Sequence, residues 1–436
     1  MIGTALRRTS SALNPSLIPW HAAWWTSDPL QSPPSNGARV SSWRDLSGNG
    51  RDLAQATSTL QPAYQAQDTN VGRHPTIRGA YGTYLATGAF TGVPQPISVV
   101  LVGSIYTNQW NTAATGGVAF DGVLAAQNVL YSNTSNGGQA GRIETGVTSS
   151  IFCTRDARPH VWVARNGASA AILKDGVSQA TGNTGTSSPT AWTVGGLNGS
   201  YPLYSSWGSW AFVGVYAGDV TAHPNWSTFH ASLLDYYQVA AQRALVVADG
   251  DSRQTCYFGT GYGPAADDWL SQLGGSLTGV CSTVNQGVPS QLQQTQTANG
   301  AAKIDPLYSA GNTTNVVVTN GGVNDLPTRT DVQIEGDIQT YCSARQAAGW
   351  KVIVCTIPPA LTVTGANETK RVAVNSWIRS NYGSWADKLA DLDNDARLQN
   401  PSDTTYFDTQ GVHYTRAGHG VVRDLIATQL ATLGVT

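Results

Sequence analysis

Four short segments of this chain carry side chains that could perform acyl transfer. In the first, the apolar run Val246-Val247-Ala248 leads through Asp249 into Gly250-Asp251-Ser252-Arg253-Gln254. A serine just past the carboxyl end of a parallel strand stands where α/β folds keep their ligand clefts, while Gly-Asp-Ser taken singly is equally an ordinary turn. In the second, Asn285-Gln286-Gly287 follows another apolar run; a glycine there lets a backbone N–H approach a ligand, or simply makes a tight turn. In the third, Gly321-Gly322-Val323-Asn324-Asp325 follows Asn315-Val316-Val317-Val318-Thr319 and offers the Asn324 amide at the same edge. The fourth, Gly411-Val412-His413-Tyr414-Thr415-Arg416-Ala417-Gly418, enters the last helix, and His413 is the candidate general base among seven histidines. Together these segments hold a hydroxyl nucleophile, a base and donors for a developing oxyanion.

Segments so far apart in sequence meet only if successive strands end at one edge of a sheet. From about residue 240 onward, apolar runs at residues 244–248, 280–284, 316–319 and 352–357 alternate with stretches long enough for crossover helices, which predicts an α/β unit with a parallel sheet. Before that point the chain reads differently. Ten of its 14 tryptophans lie there among Gly, Ser, Thr and Asn, and β-prone runs such as residues 97–102 and 161–164 recur between turns, which predicts an all-β sandwich. Between the two, Trp226, Phe229, Leu233 and Tyr237 fall on one face of a helix over residues 224–237. With no long Pro- or Gly-rich linker, the two parts should pack together. The expected organisation is an N-terminal segment 1–15, a β-sandwich 16–240 and an α/β unit 241–436.

Composition narrows the classes of function. The chain has 436 residues, of which 12% are charged, with a formal net charge of −2. No basic stripe is present to attract phosphates, so nucleic acid is not an expected partner. No stretch reaches the roughly 18 apolar residues that span a bilayer, and the start of the chain, with Arg7-Arg8 followed by polar residues, is read as lacking an export signal. Five widely spaced cysteines, Cys153, Cys256, Cys281, Cys342 and Cys355, contain no C-x-x-C pair and are expected to be buried small hydrophobes, with neither a zinc site nor a disulfide framework. His419 is expected to be a surface or packing residue. Asp251 and Asp325 are expected to brace their turns, and Asp267-Asp268 to stand at a helix N-terminus.

The four segments, in this order, resemble the SGNH (GDSL-type) hydrolase family, whose blocks centre on Ser in Gly-Asp-Ser, on a Gly, on Asn in Gly-x-Asn-Asp and on His in Asp-x-x-His. The resemblance covers residues 241–436 and includes Gly418, five places after His413. It implies a three-layer α/β/α, flavodoxin-like domain. It also implies a serine ester hydrolase in which Ser252 attacks, His413 is the base, and Ser252, Gly287 and Asn324 form the oxyanion hole, with no cofactor. One departure matters: three residues before His413 stands Gln410, and the nearest upstream carboxylate is Asp408. Three readings stay open: Asp408 orients the imidazole through an adjusted loop, Gln410 or a backbone carbonyl does so in a Ser-His dyad, or activity is lost.

In the first part, Trp43-Arg44-Asp45-Leu46-Ser47-Gly48-Asn49-Gly50 followed by Gln61-Pro62 resembles the opening of concanavalin A-like, laminin-G-type jelly-roll domains. In that motif Trp43 should fill the core while residues 47–50 make turns. Domains of this type often bind glycans. A jelly roll joined to an SGNH-type domain resembles minor tail proteins of bacteriophages. That likeness implies a virion-associated esterase acting on acylated envelope polymers, assembled with other tail proteins or with itself. The rival expectation is a non-catalytic receptor-binding or structural tail protein.

Overall fold

The computed structural model describes residues 13–27, 33–79, 82–106, 117–122, 130–133, 142–145, 151–154, 158–186, 188–196, 207–255 and 267–436. Most of the N-terminal segment and all of Cys256 therefore lie outside the described residues, as does the side chain of Cys153. The three described cysteines, Cys281, Cys342 and Cys355, are buried and free.

The first part is built of two antiparallel sheets. In one, the long strands Ile97–Tyr106 and Trp207–Ala217 pair side by side, with His160–Asn166 on the other flank of Ile97–Tyr106. The facing sheet includes Gly117–Gly122, Trp192–Val194, Leu85–Thr87 and Ser42–Trp43. Alternation along the strands sends one set of side chains inward, so Trp25, Leu101, Trp162 and Val213 of the first sheet share a core with Trp43, Phe120 and Trp192 of the second. Trp43 is fully buried and its Nε1–H donates to the Thr26 carbonyl at 2.8 Å. Asp45 shapes the glycine-rich turn after it. Its carboxylate accepts from the backbone N–H groups of Ser47 and Arg51 and from the Ser47 hydroxyl, while Gly48 and Gly50 take φ of 86° and 69°. The other set of side chains faces outward. Val100, Val102, Val161, Val163 and Phe212 are covered by helix α1 (Trp226–Tyr236) through Phe229 and Leu233, with Tyr237 at its end.

The second part is a five-stranded parallel sheet: β1 (Ala244–Gly250), β2 (Cys281–Asn285), β3 (Asn315–Asn320), β4 (Lys351–Cys355) and β5 (Lys388–Ala390), in the order β2-β1-β3-β4-β5. Its strands read as continuous apolar runs because both faces are covered. Ala244, Val246, Ala248, Val316 and Val318 pack on helices α2 (Trp269–Ser276) and α6 (Arg416–Thr432). Leu245, Val247 and Val317 pack on the opposite layer, with Ile334 and Ile338 of α4 (Asp331–Ala347) and Val374 and Ile378 of α5 (Ala366–Asn381). Helix α3 (Gln293–Lys303) completes the set. The strand order reverses between β1 and β3, and ligand clefts form at the carboxyl ends of strands at such a point.

The two parts meet at an edge. β2 is an outer strand, and an open edge exposes backbone donors and acceptors. Here Asn70 occupies it: its Oδ1 accepts from the Thr283 N–H at 3.0 Å and its Nδ2 reaches the Thr283 hydroxyl at 3.2 Å. Arg243 donates to the Asn70 carbonyl, and Gln65 to the Ser271 carbonyl, all buried. Replacing Asn70 with alanine leaves the buried Thr283 N–H without its acceptor and should cost about 1–3 kcal/mol, read as a lower urea midpoint of the α/β unit.

Candidate active site

The site is assembled where β1 and β3 end. The last residue of β1, Gly250, has φ 156°, and a Cβ there would stand 2.0 Å from the Asn320 carbonyl oxygen, so the crossing of the two strand ends demands glycine. Asp251 then caps a single 3-10 turn, Ser252–Gln254, its Oδ1 accepting from the Arg253 N–H at 2.9 Å. This is the turn-bracing role expected of Asp251. Ser252 thereby becomes the first residue of the turn, where an N–H has no partner within the helix.

His413 reaches Ser252 from the loop before α6. Its Nε2 lies 2.9 Å from Ser252 Oγ, and both residues are 7% exposed. On the other side of the ring, Nδ1 lies 3.2 Å from Asp408 Oδ2. The remaining oxygen, Asp408 Oδ1, accepts from the backbone N–H groups of Val412 and His413 at 3.0 and 3.2 Å, and the Asp408 N–H donates to the His413 carbonyl at 2.8 Å. The loop from 408 to 413 folds over itself through Gly411, at φ 63°, so five residues of separation still bring the carboxylate onto the ring. Gln410 is exposed. Of the three arrangements open from sequence, the geometry has Asp408 against Nδ1. Gly418 has a packing reason: a Cβ there would stand 2.1 Å from the Tyr406 carbonyl oxygen.

The other two expected residues lie around the same strand end. The Gly250 carbonyl accepts from the Val288 N–H at 2.8 Å and from Gln291 Nε2 at 3.2 Å, and Asn324 Nδ2 donates to the Gln291 carbonyl at 3.1 Å. A carboxamide carries two N–H donors, so this bond occupies one of them. Gly287 lies against the serine turn, where a Cβ would stand 2.6 Å from Gln254 Cβ. Its N–H donates to Asn285 Oδ1 at 2.9 Å, so an oxyanion would have to share or displace that bond. Asn285 in turn donates to the Gln254 carbonyl at 2.6 Å. Asn285 is a site residue that sequence reasoning passed over, although it is the first residue of the segment that contains Gly287.

Electrostatics differ from residue to residue. Burial pushes the His413 imidazole below its ordinary value, with Arg253 adding to the shift and Asp408 opposing it. Burial pushes Asp251 up to about 6 against the opposing Arg253 cation. Asp325 is raised by burial and accepts from the Gln293 N–H at 2.8 Å, so the backbone it braces is the start of α3 and not, as expected, that of its own turn. His419 is fully buried, with its ring edge-on to Tyr414 at 5.4 Å; burial lowers it to about 3, so packing rather than surface placement describes it. Asp268 caps α2 through the Ser271 N–H, as expected of that pair, and Asp267 is bonded by Arg416.

A hydroxyl, an imidazole and a carboxylate hydrogen-bonded in a row, at the end of a strand and beside an amide donor, can deprotonate the hydroxyl while it attacks a carbonyl carbon. No protein-family profile matches the chain, and no curated protein matches it. Among solved structures, it is similar to a lipolytic protein of the G-D-S-L family from Veillonella parvula, at 14% identity over 42% of this chain and 97% of that one, with a TM-score of 0.37. It is similar also to the psychrotrophic esterase EstA from Pseudoalteromonas sp., at 12% identity over 43% of this chain and 97% of that one, with a TM-score of 0.35. A further similar structure is Est24, a carbohydrate acetylesterase from Sinorhizobium meliloti, at 12% identity over 44% of this chain and 99% of that one, with a TM-score of 0.35.

Proposed function

We propose that the chain is a serine ester hydrolase of the SGNH type. The observation that carries this reading is the row Ser252 Oγ, His413 Nε2, His413 Nδ1 and Asp408 Oδ2, with links of 2.9 and 3.2 Å. Ser252 Oγ attacks the ester carbonyl carbon as its proton passes to His413 Nε2, and the imidazolium so formed is stabilised by Asp408. The tetrahedral oxygen is held by the Ser252 and Gly287 N–H groups and the Asn324 amide. Collapse breaks the bond to the alcohol, which leaves with the proton from His413. Water, deprotonated by the same ring, then releases the acid and restores Ser252.

The base must be neutral to accept a proton. Because His413 lies below its ordinary value of 6.5, kcat/KM should fall with acidification through a midpoint below 6.5 and stay level through neutrality. A pH-rate profile with a short-chain aryl acetate checks this, and a midpoint above 6.5 would mean that Asp408 outweighs burial and Arg253 in setting the ring's basicity. Asn324→Ala should lower kcat by about 10²–10³-fold with little change in KM, read in the same assay.

For the whole chain, the reading extends to a virion-associated esterase that removes acetyl or other acyl groups from host envelope polymers, working beside other tail proteins or as a homo-oligomer. The sequence likeness of residues 16–240 to concanavalin A-like domains and the pairing of that part with residues 241–436 support it. Trp20, 40% exposed, is an aromatic surface on which a sugar ring could stack. The rival non-catalytic reading rested on Gln410, and it loses that support with a carboxylate 3.2 Å from the imidazole. Release of acetate from acetylated bacterial surface polysaccharide by the full chain, absent with Ser252→Ala, tests the extension.

A further inference from the structure

The residue next to Ser252 is a buried cation. Arg253 is 1% exposed, and each arm of its guanidinium meets a backbone carbonyl: Nε donates to Val412 O at 3.0 Å, Nη1 to Pro358 O at 2.7 Å and Nη2 to Pro359 O at 2.9 Å. Its charge lies 5.6 Å from the centre of the Tyr414 ring. Among the described residues no carboxylate forms an ion pair with it. A buried charge without a carboxylate partner is costly, and an apolar side chain would fill the same volume more cheaply. What an apolar side chain lacks is direction. The planar fork fixes where its acceptors stand.

Those acceptors belong to two other segments. Pro358 and Pro359 follow β4, where nitrogens without hydrogen cannot continue a sheet ladder. Val412 immediately precedes His413. A closed ring results: Ser252 is bonded to Arg253, Arg253 holds the Val412 carbonyl, Val412 is bonded to His413, and His413 Nε2 returns to Ser252 Oγ at 2.9 Å. Asp408 grips the same loop from its N–H side, leaving the carbonyl side to Arg253.

We propose that Arg253 is a positioning residue that fixes the distance and angle between Ser252 and His413 by tying the serine turn to the histidine loop. This rests on the esterase reading of the site. The cation also acts electrostatically on the imidazole. Asp408 from the loop itself favours the charged ring and Arg253 from the serine turn favours the neutral one, with His419 of α6 and the adjoining Tyr414 the other titratable side chains near them.

The test uses the full chain with Arg253→Met, which keeps bulk without charge or fork, and Arg253→Lys, which keeps charge without the fork. Each is followed by kcat and KM on a short-chain aryl acetate, by an NMR titration of the His413 imidazole and by thermal melting. Loss of alignment by about an ångström should lower kcat of Arg253→Met about 10²-fold at nearly constant KM, with a smaller fall for Arg253→Lys. The His413 midpoint should rise in Arg253→Met and stay near wild type in Arg253→Lys. A purely structural role would lower activity only as the folded fraction falls. Wild-type kcat in folded Arg253→Met overturns the proposal, whatever the midpoint does. If that variant does not fold, wild-type kcat in Arg253→Lys overturns it. Should the wild-type chain show no Ser252-dependent turnover, the esterase reading fails separately, and an unchanged 2.9 Å separation of Ser252 Oγ and His413 Nε2 in a crystal structure of Arg253→Met would still overturn the claim about Arg253.

Discussion

Ser252→Ala should reduce turnover of a short-chain aryl acetate on the order of 10⁴–10⁶-fold, to the level left by substrate binding and oxyanion donors alone. The hydroxyl lies 2.9 Å from His413 Nε2, placed to lose its proton to it. The fold should not follow the activity down. Ser252 Oγ is not a packing group of the core, and the turn that carries it is held by the Asp251 cap and by the bond from the Thr255 N–H to the Ser252 carbonyl. Thermal unfolding close to wild type, together with lost turnover, is the expected pair of results; undiminished turnover would place the nucleophile elsewhere.

The second large effect is expected from Asp408→Asn, a fall of about 10³–10⁴-fold in kcat. The substitution keeps shape and can keep the acceptor for the Val412 and His413 N–H groups. It presents an amide N–H where Asp408 Oδ2 now lies 3.2 Å from Nδ1. The ring then carries its proton on Nε2 and turns that proton, instead of a lone pair, toward Ser252. Stability should change little, and rate strongly. An unchanged rate would mean that the orienting group is not this carboxylate and would favour a Ser-His dyad. Steady-state kinetics beside a melting curve separate these outcomes.

Much of this arrangement is legible in sequence because each piece depends on local chemistry. An apolar run ending in Gly-Asp-Ser places Ser252 at a strand end, and Gly250 is explained by one close approach that excludes any Cβ. Asn324 follows β3 for the same reason, and a parallel sheet follows from apolar runs separated by crossover lengths, whereas the 2-1-3-4-5 order is shown by the structure. The helix over residues 224–237 shows its apolar face in its spacing. What sequence does not show is pairing across long separations. Asp408 could not be chosen over a dyad until the loop through Gly411 was seen to fold back. The partners of Arg253 lie 105, 106 and 159 residues away and are backbone carbonyls, which leave no mark in side-chain identity. Asn70 is 213 residues from Thr283 of β2, from whose backbone N–H its side chain accepts. β5, three residues beginning with Lys388, is too short to carry a periodic signal.

The central claim is that Ser252 is an activated nucleophile. It is tested most directly by treating the full chain with a p-nitrophenyl alkylphosphonate and locating the adduct by peptide mass spectrometry. One phosphonyl group on the peptide containing Ser252, formed in step with loss of esterase activity and absent from Ser252→Ala, is the expected result. Full inactivation with the adduct on another residue, or unimpaired hydrolysis with Ser252 fully modified, would contradict it.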